Sequence, residues 1–189
     1  DAEAEQAHTA MVKTLEAVAD KGLHDPVDGG FFRGAQRESW TSPVFEKMTE
    51  DNAALASVFL DSAILLNDKG CGELGEETID WILRNVCDLK SGAVFPSQAA
   101  DKEYYGLPPE KRKGRTHPAV DRTILSGSAA LSASVFLRAS ALLGRRDLEE
   151  FALKEKLTLP LLFDRGGELA RSAFRVAGYP SSFLVDRQG

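Results

Sequence analysis

The chain has 189 residues, of which 43% are hydrophobic and 28% are charged. This composition is typical of one globular domain or part of a larger one and is unlike that of a disordered chain. The net charge of -6 offers no general attraction to phosphate backbones or anionic lipids. The longest apolar runs fall short of the roughly 20 residues that a membrane-spanning helix needs. We therefore expect a soluble chain with no nucleic-acid partner and no membrane span.

Hydrophobic periodicity predicts five helices, in residues 3–21, 43–67, 76–89, 125–143 and 147–159. The glycines in residues 70–75 are expected to separate the second helix from the third. The helix at 125–143 is rich in Ala and Ser, which is typical of a helix enclosed by other helices. Because no segment alternates with period two, the pattern predicts an all-α fold of antiparallel helical hairpins.

Two stretches are predicted to lack regular structure. Residues 91–118 contain seven Gly or Pro residues, which indicates a long loop, and residues 164–189 are expected to form a loop-rich tail. The whole of residues 1–189 is interpreted as a single helical domain. The first residue is Asp1, and no basic and then apolar leader follows it, which indicates either a processed mature form, such as one imported into an organelle, or a trimmed fragment. The compartment is left open.

The sequence gives no indication of a metal or cofactor site. Neither Cys71 nor Cys87 has a second Cys or a His at the spacing of metal ligands, and the three histidines lie far apart in the sequence. A helix over residues 76–89 would hold the two cysteines farther apart than a disulfide allows. We expect both to be reduced thiols, with no metal and no cofactor.

Two motifs are more specific than the helical pattern. Residues 22–33 read Gly-Leu-His-Asp-Pro-Val-Asp-Gly-Gly-Phe-Phe-Arg, and residues 43–48 read Pro-Val-Phe-Glu-Lys-Met. Residues 95–101, Phe-Pro-Ser-Gln-Ala-Ala-Asp, are followed by a tyrosine pair. Together they resemble the helical region of the thioredoxin-domain-containing spermatogenesis-associated protein family. The resemblance implies an (α/α)6 toroid of the six-hairpin glycosidase and N-acylglucosamine 2-epimerase type. Since such a ring has twelve helices, we expect an incomplete toroid with long loops.

Three positions that the resemblance places in the pocket carry small or apolar residues. Val44 stands where the family has a histidine, and Ala99 replaces the first aspartate of a Gln-Asp-Ala-Asp segment. The residues Ser128-Ala129-Ala130 align with Trp-Asn-Gly. These differences remove a proton-transfer group, one carboxylate of a pair and a platform for stacking a sugar ring. The pattern indicates a fold that is retained without its chemistry, so we do not expect an enzyme.

Two functional hypotheses follow. The first is a non-catalytic helical module that binds other protein chains, as an accessory or structural subunit of a larger complex. The second is a fragment of a carbohydrate-active enzyme, epimerase-like or glycosidase-like, that takes a small sugar. Under the second, Glu46, Asp51 and Asp101 would be catalytic, and Arg33 and Trp40 would contact the ligand. Turn and helix capping is the simpler explanation of the carboxylates.

The predicted protein interface combines the basic run of residues 111–115 with nearby aromatic side chains and the apolar tail. No aromatic residue interleaves with the basic ones, which favours protein over nucleic acid as the partner. The interface prediction comprises Tyr104, Tyr105, Lys111, Arg112, Lys113, Arg115 and Phe183.

Overall fold

The computed structural model describes residues 2–154, and within them the fold is mostly helical. The all-α prediction is confirmed, with a single two-stranded sheet added to the helices of this part of the chain. In chain order the elements are α1 (Ala2–Asp20), β1 (Lys47–Met48), α2 (Thr49–Leu66), α3 (Lys69–Asn85), β2 (Ser97–Gln98), α4 (Lys102–Tyr105), α5 (Pro109–Arg112), α6 (Ser126–Leu143) and α7 (Arg146–Lys154). The end of the helix predicted at 147–159, the tail at 164–189 and Phe183 lie outside the described residues.

The helix predicted to begin at residue 43 begins six residues later, at Thr49. The residues before it are extended, because β1 pairs antiparallel with β2 and aligns Lys47 with Gln98. Thr49 anchors the start of α2 to the same region, since its backbone N–H donates to Pro96 O at 2.8 Å. Pairing with a distant segment therefore sets this boundary, and local periodicity does not reveal it.

The glycines predicted to separate two helices lie inside α3. The break between α2 and α3 is at Asn67, which is left-handed with φ 50°, and at Asp68. The Asp68 carboxylate caps α3 by accepting from Gly70 N at 2.8 Å. A two-residue connection makes α2 and α3 an antiparallel hairpin. The helix ends at Asn85 rather than at residue 89, because Cys87 pairs with Val94 across the next turn.

The predicted long loop at 91–118 is partly confirmed. Most of it is irregular, but it also contains β2 and the two single-turn helices α4 and α5. Asp101 caps α4 by accepting from Tyr104 N at 2.8 Å. Pro109 is the first residue of α5, a position at which a backbone N–H would have no partner within the helix.

The helices α2 and α6 are parallel neighbours. Near their starts, Ser128 Oγ donates to Glu50 Oε1 at 2.9 Å, and further along Arg138 bonds to Asp61. Because the two contacts have nearly the same sequence offset, the helices run in the same direction. The antiparallel helix α3 follows α2, and the antiparallel helix α7 follows α6. Arg145, directly before α7, donates to Asp80 Oδ1 of α3 at 2.6 Å. The main core lies among these four helices.

By length and composition alone, α6 could cross a membrane, which the sequence did not lead us to expect. One third of its apolar window is buried in the fold. Its buried side packs against α2 and α7, and Phe136 makes an edge contact with Phe151 at a centroid distance of 5.7 Å. Within the described residues α6 is therefore covered on one side and exposed on the other, so the expectation of a helix enclosed by other helices is met on one side only.

Candidate functional site

A buried lysine lies at the centre of the two motifs. The side chain of Lys47 on β1 is fully buried, and its Nζ donates to Asp25 Oδ2 at 2.8 Å and to Gly29 O at 2.6 Å. Three aromatic rings surround the ammonium group at 5.0–5.4 Å from their centroids, an arrangement of cation–π contacts: Phe32, Trp81 and Tyr105. We call these residues the Lys47 cluster.

Arg112 joins the loop of residues 91–118 to this cluster. Its Nη1 donates to Asp25 Oδ1 at 2.9 Å, and its Nη2 donates to Tyr105 O at 2.6 Å. These contacts correct the predicted interface in three residues. Arg112 bonds to other residues of the same chain, and Tyr104 and Tyr105 are only 5% and 4% exposed. The two tyrosines are core residues rather than exposed anchors. The other three basic side chains of the predicted interface are exposed, and their role in an interface stays a prediction: Lys111, Lys113 and Arg115.

The charges around Lys47 pair with one another inside the fold. Burial raises the pKa of Asp25, but Lys47 and Arg112 outweigh it, so that the net pKa lies below its ordinary value. Burial also raises the pKa of Tyr104, to about 12, and raises that of Tyr105 further. Both phenols stay neutral near pH 7, and the Lys47 ammonium group is fully buried among its partners. We therefore interpret the Lys47 cluster as a structural centre.

The glycine pair of the first motif makes this centre possible. Gly30 has φ +73°, and a Cβ there would lie 2.6 Å from Cδ2 of Trp81. The following residue is held by Asn52, whose side chain accepts from Phe31 N at 2.6 Å and donates to Phe31 O at 3.0 Å. The motif therefore fits loop 22–33 against α2 and α3. Sequence reasoning missed Lys47 and Asn52, although both lie in or next to the motifs.

The candidate catalytic residues fall into two groups. Arg33 bonds to Glu46, and both act electrostatically on Asp51 in the first turn of α2. Glu50 and Ser128 join them, and we call these five residues the polar cluster. Partial burial raises the pKa of Asp51, the carboxylates of Glu50 and Glu46 raise it further, and Arg33 opposes them.

Two other candidates serve local backbone geometry. Asp101 is engaged as the cap of α4. Trp40 lies in a turn with φ 60°, and its N–H donates to Arg37 O at 2.9 Å. At the positions where the family resemblance implies pocket groups, Val44 N donates to Gly34 O and Ala99 N donates to Ala119 O, each at 2.8 Å. Their side chains offer no proton-transfer group or ligand.

Metal ligands do not converge in the part of the chain that the structure describes. No three His, Cys, Asp or Glu side chains there are placed to hold one ion. The absence of a metal from the whole protein stays a prediction. The two cysteines are not joined to each other, and Cys71 lies in the first turn of α3 while Cys87 follows its end.

Comparison with known sequences supports the resemblance stated above. No family model matches the chain. It is 28% identical over 106 residues to spermatogenesis-associated protein 20 of Rattus norvegicus, and 28% identical over 106 residues to that of Homo sapiens. It is 39% identical over 97 residues to an uncharacterized protein of Caenorhabditis elegans. The aligned regions cover 56%, 56% and 48% of this chain but only 13%, 13% and 12% of these relatives.

Comparison with solved structures identifies the fold. A glycoside hydrolase family 76 mannosidase of Bacteroides thetaiotaomicron superposes with a TM-score of 0.58 at 11% identity, covering 75% of this chain and 34% of that one. An inactive variant of the α-1,6-mannanase of Salegentibacter, in complex with α-1,6-mannotriose, gives a TM-score of 0.56 at 16% identity and covers 80% and 38%. The predicted α/α toroid architecture and the resemblance to the spermatogenesis-associated family are confirmed. The parallel pair α2 and α6, each followed by an antiparallel helix, is one arc of such a ring.

Proposed function

We propose that this chain acts as a non-catalytic helical module that binds other protein chains, as an accessory or structural subunit of a larger complex. The observation that carries the proposal is a row of exposed large apolar side chains on α2 and α6. Large apolar side chains that are exposed on neighbouring helices are typical of a contact with another chain. The non-catalytic part of the proposal rests on two features: the Lys47 cluster is buried and ion-paired, and the pocket positions Val44 and Ala99 are changed.

The row has a defined geometry. Helical spacing places Val58, Asp61 and Leu65 on one face of α2. The same spacing places Leu131, Arg138 and Leu142 on one face of α6. The ion pair between Arg138 and Asp61 holds the two faces side by side. We call the apolar members the α2–α6 strip: Val58, Leu65, Leu131 and Leu142, between 37% and 74% exposed.

The chemistry of the strip selects the partner. The two charges inside it neutralise each other, so it offers no net charge to an ionic partner. The aligned part of the chain covers 34% and 38% of the two glycoside hydrolases on which it superposes, and the family resemblance implies a ring of twelve helices. We therefore propose that the partner presents the apolar face of a helical hairpin from another protein, packed on α2 and α6 as a neighbouring hairpin packs in a ring.

The test uses charged substitutions on the strip in the native cells. The double variant Val58→Glu and Leu131→Glu is expected to lose a specific co-purifying protein that the wild-type chain retains, because a carboxylate cannot be buried against an apolar helix. The matched control is Leu153→Glu, an exposed leucine on α7, which should retain that protein. Equal retention by all three forms would contradict the proposal, as would loss by the control.

A carbohydrate-active enzyme is the second candidate, and Asp51 is the observation that favours it. A carboxylate with a raised pKa near other carboxylates is typical of general acid–base catalysis. We expect the purified chain to turn over neither α-1,6-mannotriose nor N-acylglucosamine. Turnover that is lost in Asp51→Asn and kept in Asp101→Asn would replace the non-catalytic proposal with the enzyme.

A further inference from the structure

A second surface, separate from the α2–α6 strip, has the properties of a small-molecule site. A cavity of about 380 Å³ lies where α1 faces the end of α2 and the start of α3. Its volume is within the usual range for ligand pockets. The walls are mostly apolar, and the lining includes Leu15, Ala19, Phe59, Leu66 and Leu74. Packing of α1 through Leu15 closes one side, and Phe59 stacks on Phe31 behind the cavity at a centroid distance of 5.5 Å.

The charged lining of the cavity has one sign. Glu16 and Asp20 from α1 and Asp68 from the α2–α3 turn all line it, and no Lys or Arg does. The Asp68 carboxylate is held in place by its bonds to the start of α3. Three carboxylates around an apolar space attract a cation and repel phosphates, sulfates and carboxylic acids.

Two further polar groups line the same cavity. The first is the thiol of Cys71, and its pKa is raised by burial and by the nearby Asp68. His24 is the second, and its Nε2 lies 3.5 Å from Oε2 of Glu77, a residue outside the lining of the cavity.

From these features we infer that the α1–α3 cavity binds a small organic cation, an amine that carries an apolar chain or ring. The apolar part of such a ligand fills the space beside Phe59 and Leu74, and its ammonium group meets Glu16, Asp20 and Asp68. An aromatic wall also favours ammonium groups through cation–π attraction. The inference is independent of the proposed protein-binding role, because it uses none of the α2–α6 strip.

The probe for this site is octyltrimethylammonium, with octyl sulfate as the anionic match, both kept below micelle-forming concentrations. In calorimetric titration of the full chain, the cation is expected to bind at one site and the sulfate at least about tenfold more weakly. The bound cation should also slow alkylation of Cys71 relative to Cys87, as followed by peptide mass spectrometry, because Cys71 lines the cavity.

Two variants with equal charge change locate the site. Glu16→Gln with Asp20→Asn is expected to weaken the cation about five- to tenfold, because the removed charges are exposed and partly screened. Glu149→Gln with Glu150→Gln, on the exposed face of α7, should leave the affinity unchanged. The inference is overturned if the cation does not bind, if the sulfate binds equally well, if Cys71 is not protected, or if the α7 pair weakens binding as much.

Discussion

At the residue scale, the molecule is organised around charges that the sequence shows but does not pair. Asp25 caps a turn by accepting from Val27 N at 3.1 Å. Its ion pairs with Lys47 and Arg112 link positions 22 and 87 residues away in sequence. No local pattern encodes such distant contacts. The signal that could have found them is a lysine inside an apolar motif, since a buried charge requires a partner.

Removing the buried cation should be costly. We expect Lys47→Met to lower the free energy of unfolding by about 3–5 kcal/mol, because one buried partner of an ion pair is left with an incomplete set of contacts. Urea denaturation followed by circular dichroism measures the change. The control is Lys69→Met, which removes an exposed pair with Glu73 and should cost less than about 1 kcal/mol. Similar small losses in both variants would show that the Lys47 cluster does not stabilise the fold.

The same cluster predicts a response to acid. The folded pKa of Asp25 lies below its unfolded value, so the unfolded chain binds more protons and stability is lost as the pH falls from about 4 through the folded pKa. Asp25→Asn should flatten this loss. Asp51→Asn should not flatten it, because the raised pKa of Asp51 gives a dependence of the opposite sign. Unfolding curves between about pH 5 and pH 2 measure both slopes, and an unchanged slope in Asp25→Asn would be the contrary result.

At the element scale, the periodic helices were predicted more accurately than their boundaries. Apolar spacing predicted helices where the structure has α1, α2, α3, α6 and α7, whereas the glycines of residues 70–75 led to the wrong start of α3. Helix α3 includes them because Asp68 caps it and because one glycine has a packing role. A Cβ at Gly75 would lie 3.0 Å from Cγ of Leu60 and 3.2 Å from its backbone N, so the close approach of α2 and α3 needs a glycine there.

Two glycines on α3 provide a matched test of that role. Gly75→Ala is expected to destabilise the protein by about 1–3 kcal/mol, since the added methyl group meets the backbone of α2. Gly72→Ala should stabilise it by up to about 1 kcal/mol, because its Cβ would make an ordinary 3.5 Å contact with Ala63 and alanine favours the helix. Thermal unfolding of the two variants measures both effects. Stabilisation by both substitutions would rule out close packing as the reason for Gly75.

At the scale of the whole molecule, the fold was predictable and the site was only partly so. The motifs led to the toroid because residues such as Gly30 and Phe31 are fixed by backbone geometry that the family resemblance preserves. The sequence also brought Arg33, Glu46 and Asp51 into one hypothesis, and the structure places them together. It missed that Tyr104 and Tyr105 are buried, because a tyrosine pair in a long loop looks the same whether it faces solvent or a distant buried charge.

The most direct test of the protein-binding role is photo-crosslinking from the α2–α6 strip in the native cells. Benzoylphenylalanine is introduced at Val58 or at Leu131, and at Leu153 on α7 as the control, and the adducts are identified by mass spectrometry. Discrete adducts to a helical segment of another protein are expected from the two strip positions, and none from the control. Adducts confined to the same polypeptide, no adducts from the strip, or equal adducts from all three positions would contradict it.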